Sequence, residues 1–237
     1  MDNLTANLEF EPPRLVIFDC DGTLVDSQHH IVAAMHSAFG AHGLALPDPD
    51  CIRRTVGLPL ATAIESLLPP GGPTLAAVVE AYKEAAIAQR LAPDHCEPLF
   101  PGLVETLDRL EMAGFLLGIA TGKARRGLDF TLATHNLVGR FVTLQTNDVV
   151  AAGKPAPDMV IQAMAETGAV PASTVVIGDT TYDIEMARNA GVPAIGVAWG
   201  YHDENVLSKA GALHIINNFG ELPDLVNQLM GGAVCVR

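Results

Sequence analysis

The sequence predicts an α/β protein, a parallel sheet covered by helices, with a helical segment inserted after the first strand. Three observations predict it. From about residue 101 onward, helix-like stretches alternate with short β-branched runs, the pattern of strands joined by helical crossovers. One apolar run, 15–18, stands ahead of that alternation. Between the two, 26–96 carries helical patterns only, separated by Pro and Gly clusters.

The elements follow in order. Leu15-Val16-Ile17-Phe18 is continuously apolar, as a strand buried on both faces must be. A first helix is expected over 27–42, rich in Ala and His, with Asp26 or Ser27 able to cap it. A second is expected over 61–68, a turn at Pro69-Pro70-Gly71-Gly72-Pro73, and a third helix over 73–91 with Thr74 close to its start. Later strands are expected at 116–120, 141–145, 174–177 and 194–198, with a weaker one at 213–216. This divides the chain into a discontinuous α/β core, 1–25 with 97–237, and a helical cap, 26–96. The cap would hang on two hinges, near 25–27 and 93–98, over the catalytic edge of the sheet.

Composition narrows the function. With 237 residues, 49% hydrophobic and 17% charged, the chain can bury a sizeable core. A net charge of -13 with no Lys/Arg run argues against nucleic acid as a partner, so an anionic substrate must be small and locally neutralised. The acidic stretch 1–13 lacks a signal-peptide core, and no run approaches the roughly 18 apolar residues of a membrane span. A cytoplasmic location without a membrane partner is therefore the default expectation. Cys20, Cys51, Cys96 and Cys235 show no CxxC spacing and are expected to be reduced thiols, with Cys20 pointing into the core. The apolar pattern carries no oligomeric signal, since an exposed apolar face reads like a buried one.

Four strand-end or loop signals carry chemistry. In Asp19-Cys20-Asp21-Gly22-Thr23, alternate residues place two carboxylates in one small volume, where like charges need a cation or a shared proton. Gly22 lets the backbone approach a ligand; an Asx turn ending a strand has the same look. Thr121-Gly122-Lys123 offers a hydroxyl and successive amides to phosphate, or simply a capping threonine. Lys123, Arg125 and Arg126 read either as a solvated face or as substrate contacts. Lys154, set between Gly153 and Pro155, presents an ammonium rigidly, although a surface lysine beside a proline turn is the commoner case. In Gly178-Asp179-Thr180-Thr181-Tyr182-Asp183, Asp179 can ligate a hard cation. Asp183 can reach the same site or act as a helix N-terminal charge worth about 0.3–1 kcal/mol. Ligands in open α/β sheets gather beyond the carboxyl ends of the strands, so the four signals can share a cleft. Magnesium together with Lys154 would balance the four aspartates. His29, His30, His36 and His42 read as ordinary polar positions of a helix rather than as a metal cluster.

In order and spacing these residues resemble the haloacid dehalogenase-like superfamily of phosphatases over nearly the whole chain. Asp19 to Ser27 resembles its first motif, Thr121 its second, Lys154 its third, and Gly178 to Asp183 its fourth. The insertion resembles the helical cap of the phosphoglycolate phosphatase and β-phosphoglucomutase branch, and Arg53-Arg54-Thr55-Val56-Gly57 fits that branch's cap pattern. The resemblance implies a Rossmann-like three-layer core and a magnesium-dependent phosphatase acting on a small phosphorylated metabolite, phosphoglycolate foremost. It implies Asp19 as nucleophile forming an aspartyl-phosphate and Asp21 as acid and then base. Thr121, Lys154 and the amides near Gly22 and Gly122 would hold the phosphoryl oxygens. Magnesium would lie on the Asp19 and Asp179 carboxylates and the Asp21 carbonyl, with Asp183 supporting it directly or through water. Arg53 would meet a substrate carboxylate or hydroxyl from the cap, or else pack within the cap. A phosphosugar mutase shares the aspartate pair and stands as the alternative enzyme. A halide-removing relative would not need Asp21, and a phosphonate-cleaving one would need a cap lysine, for which only Lys83 is present. A non-catalytic binding module with the same fold is the remaining class.

Overall fold

The computed structural model describes residues 11–93 and 95–231, which leaves Cys235 outside the described residues. The strands are β1 (Leu15–Phe18), β2 (Leu116–Thr121), β3 (Thr143–Thr146), β4 (Thr174–Gly178), β5 (Ala194–Val197) and β6 (His214–Ile216). They form one parallel sheet in the order β3-β2-β1-β4-β5-β6. The four apolar residues of β1 lie at the centre, with Phe18 in register between Ile119 and Ile177. Alternation then sorts the core into two layers. Val16 and Phe18 pack with Leu107 of α5 (Leu103–Met112), Leu128 of α6 (Arg125–Thr134) and Val226 of a C-terminal helix, Leu222–Gly231. Leu15 and Ile17 pack on the other face with Met159 of α7 (Asp158–Thr167), Ile184 of α8 (Thr181–Asn189) and Leu207 of α9 (Glu204–Ala210). The C-terminal helix completes the series as α10.

Between β1 and α5 lie four helices: α1 (Gln28–Ala41), α2 (Pro49–Arg53), α3 (Leu60–Leu67) and α4 (Leu75–Arg90). They surround an apolar cluster of their own, built on Met35, Phe39, Ile52, Ile64 and Val78. The chain leaves and returns to the sheet side by side. Val25 bridges Leu99 in antiparallel fashion, and the Asp26 amide donates to the Pro98 carbonyl at 2.9 Å.

Three local details differ from expectation. The five-residue α2 was not expected, being too short to show helical periodicity; its signal is Asp48, which accepts from the Asp50 amide at 2.8 Å ahead of Pro49. β3 begins at Thr143 because Phe141 turns into the core and packs edge-on against Phe18, at 6.4 Å and 78°. Ser27 occupies the N-cap position of α1, but its hydroxyl donates to Asp21 Oδ1 at 2.6 Å rather than serving the helix. Cys20 is buried, and Cys51 and Cys96 are free and exposed. Among the described residues no helix is long and apolar enough to cross a membrane.

Candidate active site

The acidic end of β1 sits beyond the carboxyl edge of the sheet. The Asp19 amide donates to the Ile177 carbonyl at 2.9 Å, so Asp19 extends the ladder by one residue before the chain turns. The Leu24 and Val25 amides close that turn on the Cys20 carbonyl. Gly22 takes φ +85 there, and a Cβ at this position would overlap Asp179 Oδ2 and lie 2.7 Å from the Tyr201 ring. Both constraints exclude a side chain. Gly22→Ala is expected to destabilise the fold by about 1–3 kcal/mol and to displace Asp179. Thermal denaturation checks this, and an unchanged melting temperature would contradict it.

Lys154, 1% exposed, places Nζ 2.7 Å from Asp19 Oδ1 and 2.5 Å from Asp183 Oδ1. Buried Asp19 Oδ1 meets the Lys154 ammonium as an ion pair and has no other polar partner among the described residues. The other acids are better satisfied. Asp183 Oδ2 accepts from the amide and hydroxyl of Thr180, at 3.0 and 2.7 Å. Asp179 accepts from the Thr23 hydroxyl and from the Tyr201 amide, both at 2.9 Å. One carboxylate oxygen from each of Asp19, Asp179 and Asp183 lies within 4.8 Å of the others, a spacing at which three acids can share one cation. Their chemistry calls for one. Burial pushes Asp19 up to about 7, with Lys154 acting against the rise and Asp183 adding to it. Burial, then the charges of Asp19 and Asp183, hold Asp179 well above the usual carboxylate range. An all-oxygen donor set of this kind suits a hard divalent ion such as magnesium.

The Asp21 side chain turns the other way. Its Oδ1 accepts from Ser27 and, at 2.7 Å, from Lys123 Nζ, which also lies 3.4 Å from Glu97 Oε2. Thr131 of α6 donates to the same Glu97 oxygen at 3.2 Å. Burial alone would lower Lys123, but the charges of Asp21, Cys20 and Glu97 outweigh it and raise it above its ordinary value. Thr121, 1% exposed, ends β2 and accepts the Lys123 amide at 3.2 Å while lining the same cleft as Asp19 and Asp21. Gly122 lines that cleft too, and a Cβ there would lie 3.0 Å from the Gly57 carbonyl, so the loop after α2 descends onto it.

The structure thus gathers Asp19, Asp21, Gly22, Thr121, Gly122, Lys154, Asp179 and Asp183 at one end of the sheet. It does not bring Arg53 there. Arg53 pairs with Asp50 one turn earlier in α2 and lines a separate cavity with His29 and His36. Residues 55–58 reach the cleft in its place. One participant, Tyr201, has no place in the sequence analysis, and Lys123 is there without its partners. Of Lys123, Arg125 and Arg126, read either as a solvated face or as substrate contacts, Lys123 is drawn into the cleft, its side chain only 12% exposed. Tyr201 gave a weaker signal, a strand end at Trp199-Gly200; its amide fixes Asp179 and its hydroxyl lies 3.3 Å from Ser27 Oγ.

The chain is similar to known proteins over most of its length. The family model described as haloacid dehalogenase-like hydrolase matches residues 16–197. A probable phosphatase IndB of Dickeya dadantii is 37% identical over 218 residues, covering 91% of this chain and 94% of the relative. A phosphoglycolate phosphatase of Agrobacterium fabrum is 32% identical over 226 residues, covering 91% and 94%. Among solved structures, a hydrolase from Pseudomonas syringae superposes with a TM-score of 0.79 at 27% identity, covering 91% of this chain and 98% of that one.

Proposed function

Because the chain belongs to the haloacid dehalogenase-like hydrolase family and is a phosphoric monoester hydrolase, we propose that it cleaves a small phosphomonoester with magnesium, through an aspartyl-phosphate on Asp19. The observation that carries this reading is the state of Asp19: buried, with Oδ1 held by Lys154 alone among the described residues. A carboxylate so held has a lone pair to offer. Asp19 attacks phosphorus, and the bond from phosphorus to the ester oxygen breaks. Asp21, lining the same cleft, gives its proton to the leaving alkoxide. In the second half Asp21 takes a proton from water as that water attacks phosphorus, releasing phosphate and restoring the Asp19 carboxylate. The Thr121 hydroxyl, the Lys154 ammonium and the amides near Gly22 and Gly122 hold the phosphoryl oxygens throughout. Asp19, Asp179, Asp183 and the Asp21 carbonyl would hold magnesium, which supplies positive charge against the transferring phosphoryl group. Residues 26–96 act as a cap that excludes water, and 1–25 with 97–237 as the catalytic core.

The reading is tested by purified protein with magnesium on a broad panel of phosphate esters, phosphoglycolate included. Release of inorganic phosphate that a chelator stops is expected; a panel left untouched overturns it. Metal binding also has a pH signature. Asp19 titrates near 3.8 when unfolded and is raised to about 7 when folded, so its buried charge weakens the fold progressively as pH rises between those values. A cation relieves that penalty and competes with protons below it. The rise in melting temperature on adding magnesium is therefore expected to be larger near about pH 8 than near about pH 5.5. Equal rises at both would contradict magnesium binding to these acids.

A further inference from the structure

The cleft in front of Asp19 is larger and more apolar than a glycolate group requires. We propose that the alcohol this enzyme releases is bulky and largely apolar, with an aliphatic or aromatic body, so that its preferred substrate is the monoester of such an alcohol. The inference rests on the phosphatase reading above and names the substrate class of the same site.

The cavity holds about 410 Å³. Glycolate adds to the phosphate only a methylene and a carboxylate, and leaves most of that space to water. Its apolar lining comes from the cap helices: Ile31 and Met35 of α1, Leu60 and Ala63 of α3, and Ala86 and Ile87 of α4. Water against such a wall is readily displaced by an apolar group, and binding follows the area removed from water. His30 and His95 also line the cleft, their rings tilted by 40° with centroids 4.3 Å apart, and Phe130 packs edge-on against His95 at 5.5 Å.

Charge beside the aspartates points the same way. A carboxylate next to the transferring phosphate needs a cation, and the two nearest the aspartates are engaged: Lys154 by Asp19 and Asp183, Lys123 by Asp21 and Glu97. Arg53, the cap cation expected to meet a carboxylate, faces another cavity. Lys83 lines the cleft but is paired with Glu80 at 2.6 Å. Arg90 and Arg126 also line it, and a preference for an acidic substrate through them is the competing outcome of the test.

The test uses the full chain with magnesium and compares kcat/KM for ethyl, butyl, hexyl and 2-phenylethyl phosphates with that for phosphoglycolate. These alcohols differ little in reactivity, so the series reads the cleft. A rise of roughly fourfold per methylene is expected until the cavity is filled, with hexyl and phenylethyl phosphates ahead of phosphoglycolate. Ala86→Phe, which occupies the apolar wall, should lower the ratio of hexyl to ethyl phosphate by about tenfold or more. A flat alkyl series, or phosphoglycolate preferred by about tenfold over hexyl and phenylethyl phosphates, overturns the inference while leaving the phosphatase reading in place. No phosphate from any ester removes both. The wild-type series decides the question even if the Ala86 variant does not fold.

Discussion

Asp19→Asn is expected to lower phosphate release by about 10⁴-fold or more while leaving the protein folded, since removal of a catalytic nucleophile typically costs that much. The amide matches the carboxylate in shape but cannot displace an alkoxide from phosphorus. Everything else that holds the site remains, because Lys154 keeps Asp183 and Asp179 keeps Thr23 and Tyr201. Stability should move the other way. The Asp19 charge is opposed first by burial and then by Asp183 and Asp21, against the attraction of Lys154. Above about pH 7, where the wild-type carboxylate is ionised, the metal-free variant is expected to melt at or above the wild-type temperature. Residual activity within about tenfold of wild type would remove Asp19 from the role of nucleophile.

Lys154→Met should be the most damaging single change to the fold within the site. The ammonium is 1% exposed and stands between Asp19 and Asp183, with Asp179 close behind. Burial alone would lower its pKa, yet the charges of Asp183 and Asp19 outweigh burial and keep it protonated. Methionine fills similar space but leaves the acids without that counter-charge. Breaking a buried pair by deleting one partner costs about 3–5 kcal/mol. For a chain of this length that corresponds to a fall of roughly 10 °C in melting temperature. The loss should be smaller at low pH, where Asp19 and Asp179, both raised by burial, take up protons. Adding Asp183→Asn should recover part of the stability and none of the activity, which is expected to fall by about 10³-fold on the proposal that Lys154 holds a phosphoryl oxygen. A Lys154→Met protein as stable as wild type at neutral pH would show that the ion pairs contribute nothing net.

The sheet and the acids are legible in the sequence because each rests on local pattern. β1 reads directly from four apolar residues running into Asp19, and the later strands from β-branched runs ending in Thr121 and Asp179. What the sequence conceals depends on chain segments far apart. Lys123 is drawn from solvent by Asp21 before it and by Glu97 on the returning hinge, with Thr131 of α6 holding Glu97. No window of residues around Lys123 contains that arrangement. Arg53, open in the sequence to substrate contact or to packing within the cap, takes the second place here. Its motif is local and intact, but the unexpected α2 pairs it with Asp50 and turns it to another cavity. Helices in 26–96 read from periodicity, whereas the apolar cavity they enclose with the sheet emerges only from packing.

The covalent role of Asp19 is tested most directly by the stereochemistry at phosphorus. An ester that the enzyme accepts, made chiral with oxygen isotopes and hydrolysed in isotopically labelled water, reports each in-line displacement as an inversion. Transfer to Asp19 followed by transfer to water predicts net retention. Net inversion would mean that water attacks the ester directly, and would contradict the aspartyl-phosphate on Asp19.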